Sequence, residues 1–170
     1  PAREREPNDD AAQAVLMRPG KVLGTISSPK DVDVYKIDVR QERAVLSAHI
    51  GGIRGVDFVL SLRDKDGREL KRIDETASGG DEEALDLGVA RGAATLVVSN
   101  KSEKGDNPAQ AYEIEVRLEK ALGREAEPND SPQTASPLEL PGVTRGHYWP
   151  SRDLLSGDTD YFEQDWFDIR

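Results

Sequence analysis

Cysteine is absent from this chain of 170 residues, which excludes a disulfide framework, a zinc–thiolate site and a thiol nucleophile. Aromatic residues make up only 5% of the chain and apolar residues 36%. That supply is poor for a helical core but sufficient for a thin sandwich of alternating strands. No apolar run approaches the roughly 20 residues that a membrane-spanning helix needs, so membrane insertion is not expected. The chain begins at Pro1 without a signal peptide and is interpreted as a mature or trimmed fragment.

Basic residues are outnumbered, with 23 Lys and Arg against 33 Asp and Glu, and the net charge is −10. The sequence pI is about 4.7. A surface of this sign is repelled by phosphate groups, which makes nucleic acid and anionic membranes unexpected partners. The same charge is compatible with bound cations.

Helical periodicity of useful length is also missing, apart from a short helical turn expected over residues 10–17. Short segments that alternate between apolar and polar residues appear instead, for example over residues 31–39. Residues 64–67 read Asp-Lys-Asp-Gly between two such segments, which predicts a hairpin. About eight short strands with turn signals between them indicate an all-β antiparallel sandwich or barrel.

One acidic motif occurs twice. Residues 4–9 read Glu-Arg-Glu-Pro-Asn-Asp, and residues 125–130 read Glu-Ala-Glu-Pro-Asn-Asp. The landmarks downstream also recur in order. Pro19-Gly20-x-x-x-Gly24 returns as Pro141-Gly142-x-x-x-Gly146, and Asp31-x-Asp33-x-Tyr35 returns as Asp158-x-Asp160-x-Phe162, with additional residues within 147–157. Recurrence in register indicates a repeated module.

Crowded carboxylate and amide oxygens repel one another unless a cation lies among them, and calcium takes about 6–8 such ligands. The two aspartates of Asp-x-Asp lie on one face of a strand because side chains alternate. We therefore predict a calcium site in each repeat, while a solvated acidic linker remains the plain alternative for a single motif. The predicted ligands are Glu4, Glu6, Asn8, Asp9, Asp31 and Asp33 in the first repeat, and Glu125, Glu127, Asn129, Asp130, Asp158 and Asp160 in the second.

Sequence patterns typical of catalytic sites are weaker than the pattern of the acidic motif. Paired carboxylates also serve glycosidases and aspartic proteases, but such pairs need a cleft with few competing charges. The two histidines, His49 and His147, are far apart in sequence, and no Gly-x-Ser-x-Gly elbow is present. We predict that the chain is not an enzyme and that it has no catalytic residues.

The ordered combination of these motifs resembles the bacterial pre-peptidase C-terminal (PPC) domain family, which is related to the collagen-binding domains of clostridial collagenases. The elements that carry the resemblance are Glu-Pro-Asn-Asp, Pro-Gly-x-x-x-Gly, Asp-x-Asp-x-Tyr and the hairpin Leu60-x-Leu62-x-Asp64-x-Asp66-Gly67-x-Glu69-Leu70. The resemblance covers residues 4–118 as a full module and 125–170 as the start of another.

The resemblance implies a jelly-roll-like, non-catalytic β-sandwich of a secreted, periplasmic or cell-surface protein, often attached to a protease. It also implies calcium held by the acidic segment and a downstream aspartate pair. Collagen binding does not follow, because the aromatic collagen-contacting strand has no counterpart here. In the second repeat, Asp165-Trp166-Phe167-x-Ile169 matches the family's strand opening about as well as the segment that begins at Asp158.

The expected organisation is a sandwich over residues 1–119, a linker over 120–126 and a partial second copy over 127–170. The expected function is a calcium-stabilised accessory module of an exported bacterial protein. The alternative is a carbohydrate- or protein-binding module whose sheet face carries the function; which protein or polysaccharide it would bind stays open. The aromatic C-terminal segment is expected to drive any self-association.

Overall fold

A computed structural model describes residues 1–102, 104–146 and 164–170 and contains ten strands and no α-helix in those ranges. The strands are β1 (Ala2–Arg3), β2 (Val15–Met17), β3 (Gly20–Gly24), β4 (Val32–Ile50), β5 (Phe58–Arg63), β6 (Glu69–Ile73), β7 (Glu82–Asn100), β8 (Tyr112–Lys120), β9 (Ser136–Leu138) and β10 (Phe167–Ile169).

Strands β4 and β7 are 19 residues long and build both layers of the fold. The first half of β4 pairs with the second half of β7, which also pairs with β5. The second half of β4 pairs with the first half of β7 and with β8. Register shifts between Val39 and Arg43 mark the place where β4 passes from one layer to the other. One continuous ladder thereby becomes a β-sandwich.

The core lies between these layers because the strands alternate as the sequence predicts. Along β4, Tyr35, Ile37 and Val39 are buried, whereas Lys36 and Asp38 are exposed. Rings from the two layers meet directly, since Phe58 on β5 and Tyr112 on β8 pack edge to face with centroids 5.3 Å apart. This contact joins the two layers within the core.

Three local features differ from the sequence-based expectation. Residues predicted as separate strands at 31–39 and 44–50 form the single strand β4, and those at 85–89 and 95–99 form β7. The helical turn expected over 10–17 ends in strand β2, which pairs in parallel with β4. Neighbouring strands supplied hydrogen-bond partners that a local pattern cannot reveal. The sandwich is therefore mainly antiparallel, with short parallel pairs at β1–β3 and β2–β4.

The hairpin at residues 64–67 is confirmed. The backbone N–H groups of Asp66 and Arg68 both donate to Asp64 Oδ1 at 2.9 Å, and the Asp64 N–H donates to the Arg68 carbonyl at 2.9 Å. The Asp64 side chain thus closes the turn between β5 and β6.

The second repeat reproduces a strand pair of the first. In the first repeat, Val15 and Met17 of β2 face Tyr35 and Ile37 of β4. In the second, Ser136 and Leu138 of β9 face Phe167 and Ile169 of β10, again in parallel. The pairing of β9 with β10 thus resembles that of β2 with β4.

Residues 125–130 lie against the first repeat. The Ala90 N–H donates to the Glu127 carbonyl at 2.7 Å, and the Glu127 N–H donates to the Gly88 carbonyl at 3.0 Å. A Cβ atom on Gly88 would overlap the Glu125 backbone, so glycine permits this approach. Ala126 is buried at the contact. No helix in the described part of the chain has the length and apolar character needed to cross a membrane.

Candidate cation sites

The first acidic segment, residues 4–9, is held between β3 and β4 by its backbone. The Glu4 N–H donates to the Leu23 carbonyl at 2.9 Å, and the Val34 N–H donates to the Asn8 carbonyl at 2.9 Å. The Asn8 N–H donates to Glu6 Oε2 at 3.1 Å, and the Glu6–Pro7 peptide bond is cis. These contacts place the acidic segment beside the start of β4, which carries the Asp-x-Asp pair.

All five carboxylates predicted for the first site come together there. Glu6 belongs to two groups of three acids, in each of which one oxygen from every residue lies within 4.8 Å of the others. One group adds Glu4 and Asp33, and the other adds Asp9 and Asp31. Asp33 is fully buried, since it lies on the core face of β4 with Tyr35 and Ile37. The tertiary structure thus concentrates negative charge at one end of the core.

Two buried tyrosines form hydrogen bonds to acids of the first site, a role that the sequence motifs did not predict. The Tyr112 hydroxyl donates to Asp33 Oδ2 at 2.6 Å, and the Tyr35 hydroxyl donates to Glu4 Oε2 at 2.8 Å. The two hydroxyls lie 2.7 Å apart. A Cβ atom on Gly24 would overlap both the Tyr112 ring and Glu4 Oε2, which explains the glycine of the Pro-Gly-x-x-x-Gly motif.

Two of the clustered acids, Asp33 and Glu6, have pKa values above the usual range. Burial raises the pKa of Asp33 to about 8, the Tyr112 hydrogen bond opposes that rise, and the charges of Glu4 and Asp31 add to it. Partial burial also raises the pKa of Glu6, helped by Asp31 and Glu4. A bound cation would reverse this effect because it stabilises the ionised carboxylates.

The donor set fits calcium on a second observation besides the acids. Asn8 is fully buried, and neither atom of its side-chain amide has a hydrogen-bond partner among the described residues. Asp33 Oδ1 is also buried and has no hydrogen-bond partner among the described residues. Buried polar groups are normally hydrogen-bonded, because leaving one unpaired costs about 1–3 kcal/mol. Buried oxygen atoms that have no hydrogen-bond partner and lie beside a carboxylate cluster are suitable ligands for a hard cation.

The second acidic segment, residues 125–130, repeats these contacts. The Asn129 N–H donates to Glu127 Oε2 at 3.0 Å, the Glu127–Pro128 peptide bond is cis, and Asn129 is fully buried. A Cβ atom on Gly146 would overlap the carboxylate of Glu125, just as one on Gly24 would overlap that of Glu4. Local sequence thus produces the same backbone arrangement twice.

Asp165 is the acid that joins the second segment. One oxygen from each of Glu125, Glu127 and Asp165 lies within 4.8 Å of the others. The Trp166 N–H donates to the Asn129 carbonyl at 3.0 Å, as the Val34 N–H does to Asn8. Asp165 is therefore the counterpart of Asp33. This agrees with the match of Asp165-Trp166-Phe167-x-Ile169 to the strand opening, rather than with the match of the segment that begins at Asp158. The predicted ligands Asp158 and Asp160 lie outside the described residues.

Asp130 has a charged partner, whereas Asp9 has none among the described residues. Arg68, at the end of the β5–β6 hairpin, forms an ion pair with Asp130 Oδ2. No ion pair between described residues includes Asp9. Nothing in the sequence pattern pointed to Arg68, because the contact joins two distant segments.

Known proteins resemble the chain in structure but not detectably in sequence. No family model matches it, and no curated protein does. The pre-peptidase C-terminal domain of a collagenase from Bacillus anthracis aligns over 67% of this chain and 100% of that domain, with a TM-score of 0.51 and 16% identity. The chain shares the fold of that domain.

The PPC fold expected from the motifs is thus confirmed at the level of architecture. A periplasmic inhibitor of g-type lysozyme from Aeromonas hydrophila aligns over 62% of this chain and 99% of the inhibitor, with a TM-score of 0.44 and 12% identity.

Proposed function

We propose that the chain is a non-catalytic, calcium-stabilised β-sandwich module of an exported or cell-surface bacterial protein. The observation that carries this proposal is the burial of Asn8 and Asp33, with unpaired side-chain atoms, beside four further carboxylates. Calcium would be held by Glu4, Glu6, Asn8, Asp9, Asp31 and Asp33. It would supply positive charge that lets these carboxylates stay ionised inside the fold.

The accessory role and the exported location rest on fold. The PPC fold occurs in a domain of a bacterial collagenase. In the chain itself, the first acidic segment and the start of β4 form one dense cluster of carboxylates, in which burial, helped by neighbouring negative charges, raises the pKa values of both Asp33 and Glu6. A carboxylate pair that acts as acid and base needs two separate environments instead.

The sheet-face alternative is less well supported in the first repeat. Its three aromatic residues, Tyr35, Phe58 and Tyr112, are all buried. They therefore form no aromatic platform for a sugar or a peptide. Only Trp166 and Phe167, at the end of the second repeat, are aromatic and exposed among the described residues.

Thermal unfolding with calcium and with a chelator tests the proposal. Calcium should raise the melting temperature, because a ligand that binds only the folded state stabilises it by about 2.7 kcal/mol at a hundredfold excess over Kd. Replacing Asp9 and Asp33 by Asn should remove most of this increment while the fold is retained. Magnesium, which prefers a smaller octahedral shell, serves as the matched ion control. Identical melting in calcium and in chelator would refute the calcium site.

A further inference from the structure

The two acidic segments share a backbone arrangement but differ in charge. In the first, Asp9 contributes an oxygen to a group with Glu6 and Asp31. Its counterpart Asp130 is ion-paired with Arg68 from the first repeat. A guanidinium group beside the second segment offsets one of its carboxylates, and nothing equivalent is found at the first among the described residues.

Arg68 is held in position by the hairpin that carries it. Its backbone N–H donates to Asp64 Oδ1 at 2.9 Å, and its Nε lies 3.8 Å from Asp64 Oδ2. Asp130 is held from the other side, since the backbone of Glu127 pairs with that of β7. Both ends of the Arg68–Asp130 pair are thus fixed by separate parts of the chain, and the side chains are only 36% and 20% exposed.

The second segment also contains an unsatisfied buried group that points to a ligand. Asn129 is fully buried, its Nδ2 donates to Glu125 Oε2 at 3.3 Å, and its Oδ1 has no hydrogen-bond partner among the described residues. The amide therefore contacts Glu125, whose carboxylate groups with those of Glu127 and Asp165. Asp130 Oδ1 is likewise buried without a hydrogen-bond partner in the described chain.

We propose that Arg68 is a specificity-determining residue that lowers the cation affinity of the second site relative to the first. This inference rests on the proposed function, since it concerns the same kind of site. A cation that uses Asp130 must compete with the guanidinium group and is repelled by its charge. Binding at the second site and the Arg68–Asp130 contact between the repeats therefore oppose each other.

Terbium, a luminescent substitute for calcium, can measure the second site separately in the full chain. Both tryptophans, Trp149 and Trp166, belong to the second repeat, and Trp166 directly follows Asp165. Terbium emission excited through tryptophan, recorded in a chain carrying Asp9→Asn and Asp33→Asn, reports the second site with the first removed. Displacement by calcium then gives the calcium affinity.

Arg68→Gln should increase the affinity of the second site by about twofold to fivefold, in the range of a partly exposed ion pair. Arg68→Lys, which keeps the charge, should give a smaller increase. Arg72→Gln removes the same charge from an exposed position on β6 that takes part in no ion pair among the described residues, and it should change the affinity little. In a chain that also carries Asp130→Asn, Arg68→Gln should no longer change the affinity.

The outcomes separate the two proposals. An unchanged or lower affinity in Arg68→Gln overturns the inference, because Arg68 would then orient Asp130 for the ion or have no part in binding. No terbium or calcium binding at the second site, combined with calcium-dependent melting of the unsubstituted chain, overturns the inference and leaves the proposed function intact. The absence of any calcium effect on melting overturns the proposed function itself.

Discussion

Asp33 and Asp165 occupy corresponding positions in the two repeats, yet Asp33 is fully buried and Asp165 is exposed. Asp33 lies on a strand that β7 covers, and the Tyr112 hydroxyl donates to it. Asp165 precedes a strand that pairs only with β9 among the described residues. The comparison shows that the acidic segment sets the backbone arrangement, whereas the surrounding sandwich sets the burial, and burial determines how strongly the carboxylates hold protons.

The largest expected difference between the repeats concerns core packing. Tyr35 and Phe167 correspond in register, but Tyr35 is fully buried and Phe167 is 36% exposed. Tyr35→Ala should lower the free energy of unfolding by about 3–5 kcal/mol, since it leaves a cavity and removes a hydrogen bond. Phe167→Ala should cost about 1 kcal/mol. Urea unfolding of both variants checks this, and equal losses would contradict the comparison.

The next effect concerns pH in the absence of cations. The folded-state pKa of Asp33, about 8, is above the ordinary value of 3.8, so the folded state binds more protons between these values. The free energy of unfolding should therefore fall progressively as the pH rises from about 4 to about 8. Asp33→Asn should remove most of that fall.

Urea unfolding in chelator across this range measures the slope. Asp168→Asn, an exposed change of equal charge, provides the control. A wild-type slope that persists in Asp33→Asn would show that another group is responsible. Calcium should flatten the slope, because it favours the ionised carboxylate.

A smaller effect is expected at the glycine that both repeats place beside their first glutamate. Gly24→Ala should cost about 1–3 kcal/mol, because the new Cβ atom overlaps the Tyr112 ring as well as Glu4. Gly146→Ala should cost less, about 1 kcal/mol or below, because it meets the carboxylate of Glu125. Gly51→Ala is the matched control, because no atom lies within 4 Å of the Cβ atom that it would add. Thermal melting would disprove the expected order if Gly146→Ala were the more damaging change.

The smallest effect on stability is expected from removal of residues 121–170. The first repeat keeps its core and loses mainly the contact of β7 with residues 125–130 and the Arg68 ion pair, which should cost about 1 kcal/mol. Sedimentation should show a monomer, since the exposed Trp166, Phe167 and Ile169 are gone. A truncated chain that unfolds or stays oligomeric would contradict the division into two repeats.

The sequence was most informative where the pattern is local. Alternation over residues 31–39 correctly assigned Tyr35 and Ile37 to the core, and the Asp-Gly turn correctly placed the hairpin. It failed at longer range, where β4 and β7 each run through two predicted strands. When one long strand passes from one layer to the other, its sequence pattern is interrupted at the crossing point. The two halves then resemble two separate strands.

By itself, the sequence determined the all-β class, the recurrence of the acidic motif and the proximity of Glu4, Glu6 and Asn8, because proline, alternating side chains and a short acidic motif act over a few residues. Only the tertiary structure decided that Asp33 is buried against Tyr112, that Asp165 joins Glu125 and Glu127, and that Arg68 pairs with Asp130. Each of these contacts joins residues far apart along the chain. Their distances and burial, and hence their electrostatics, depend on how the two layers pack.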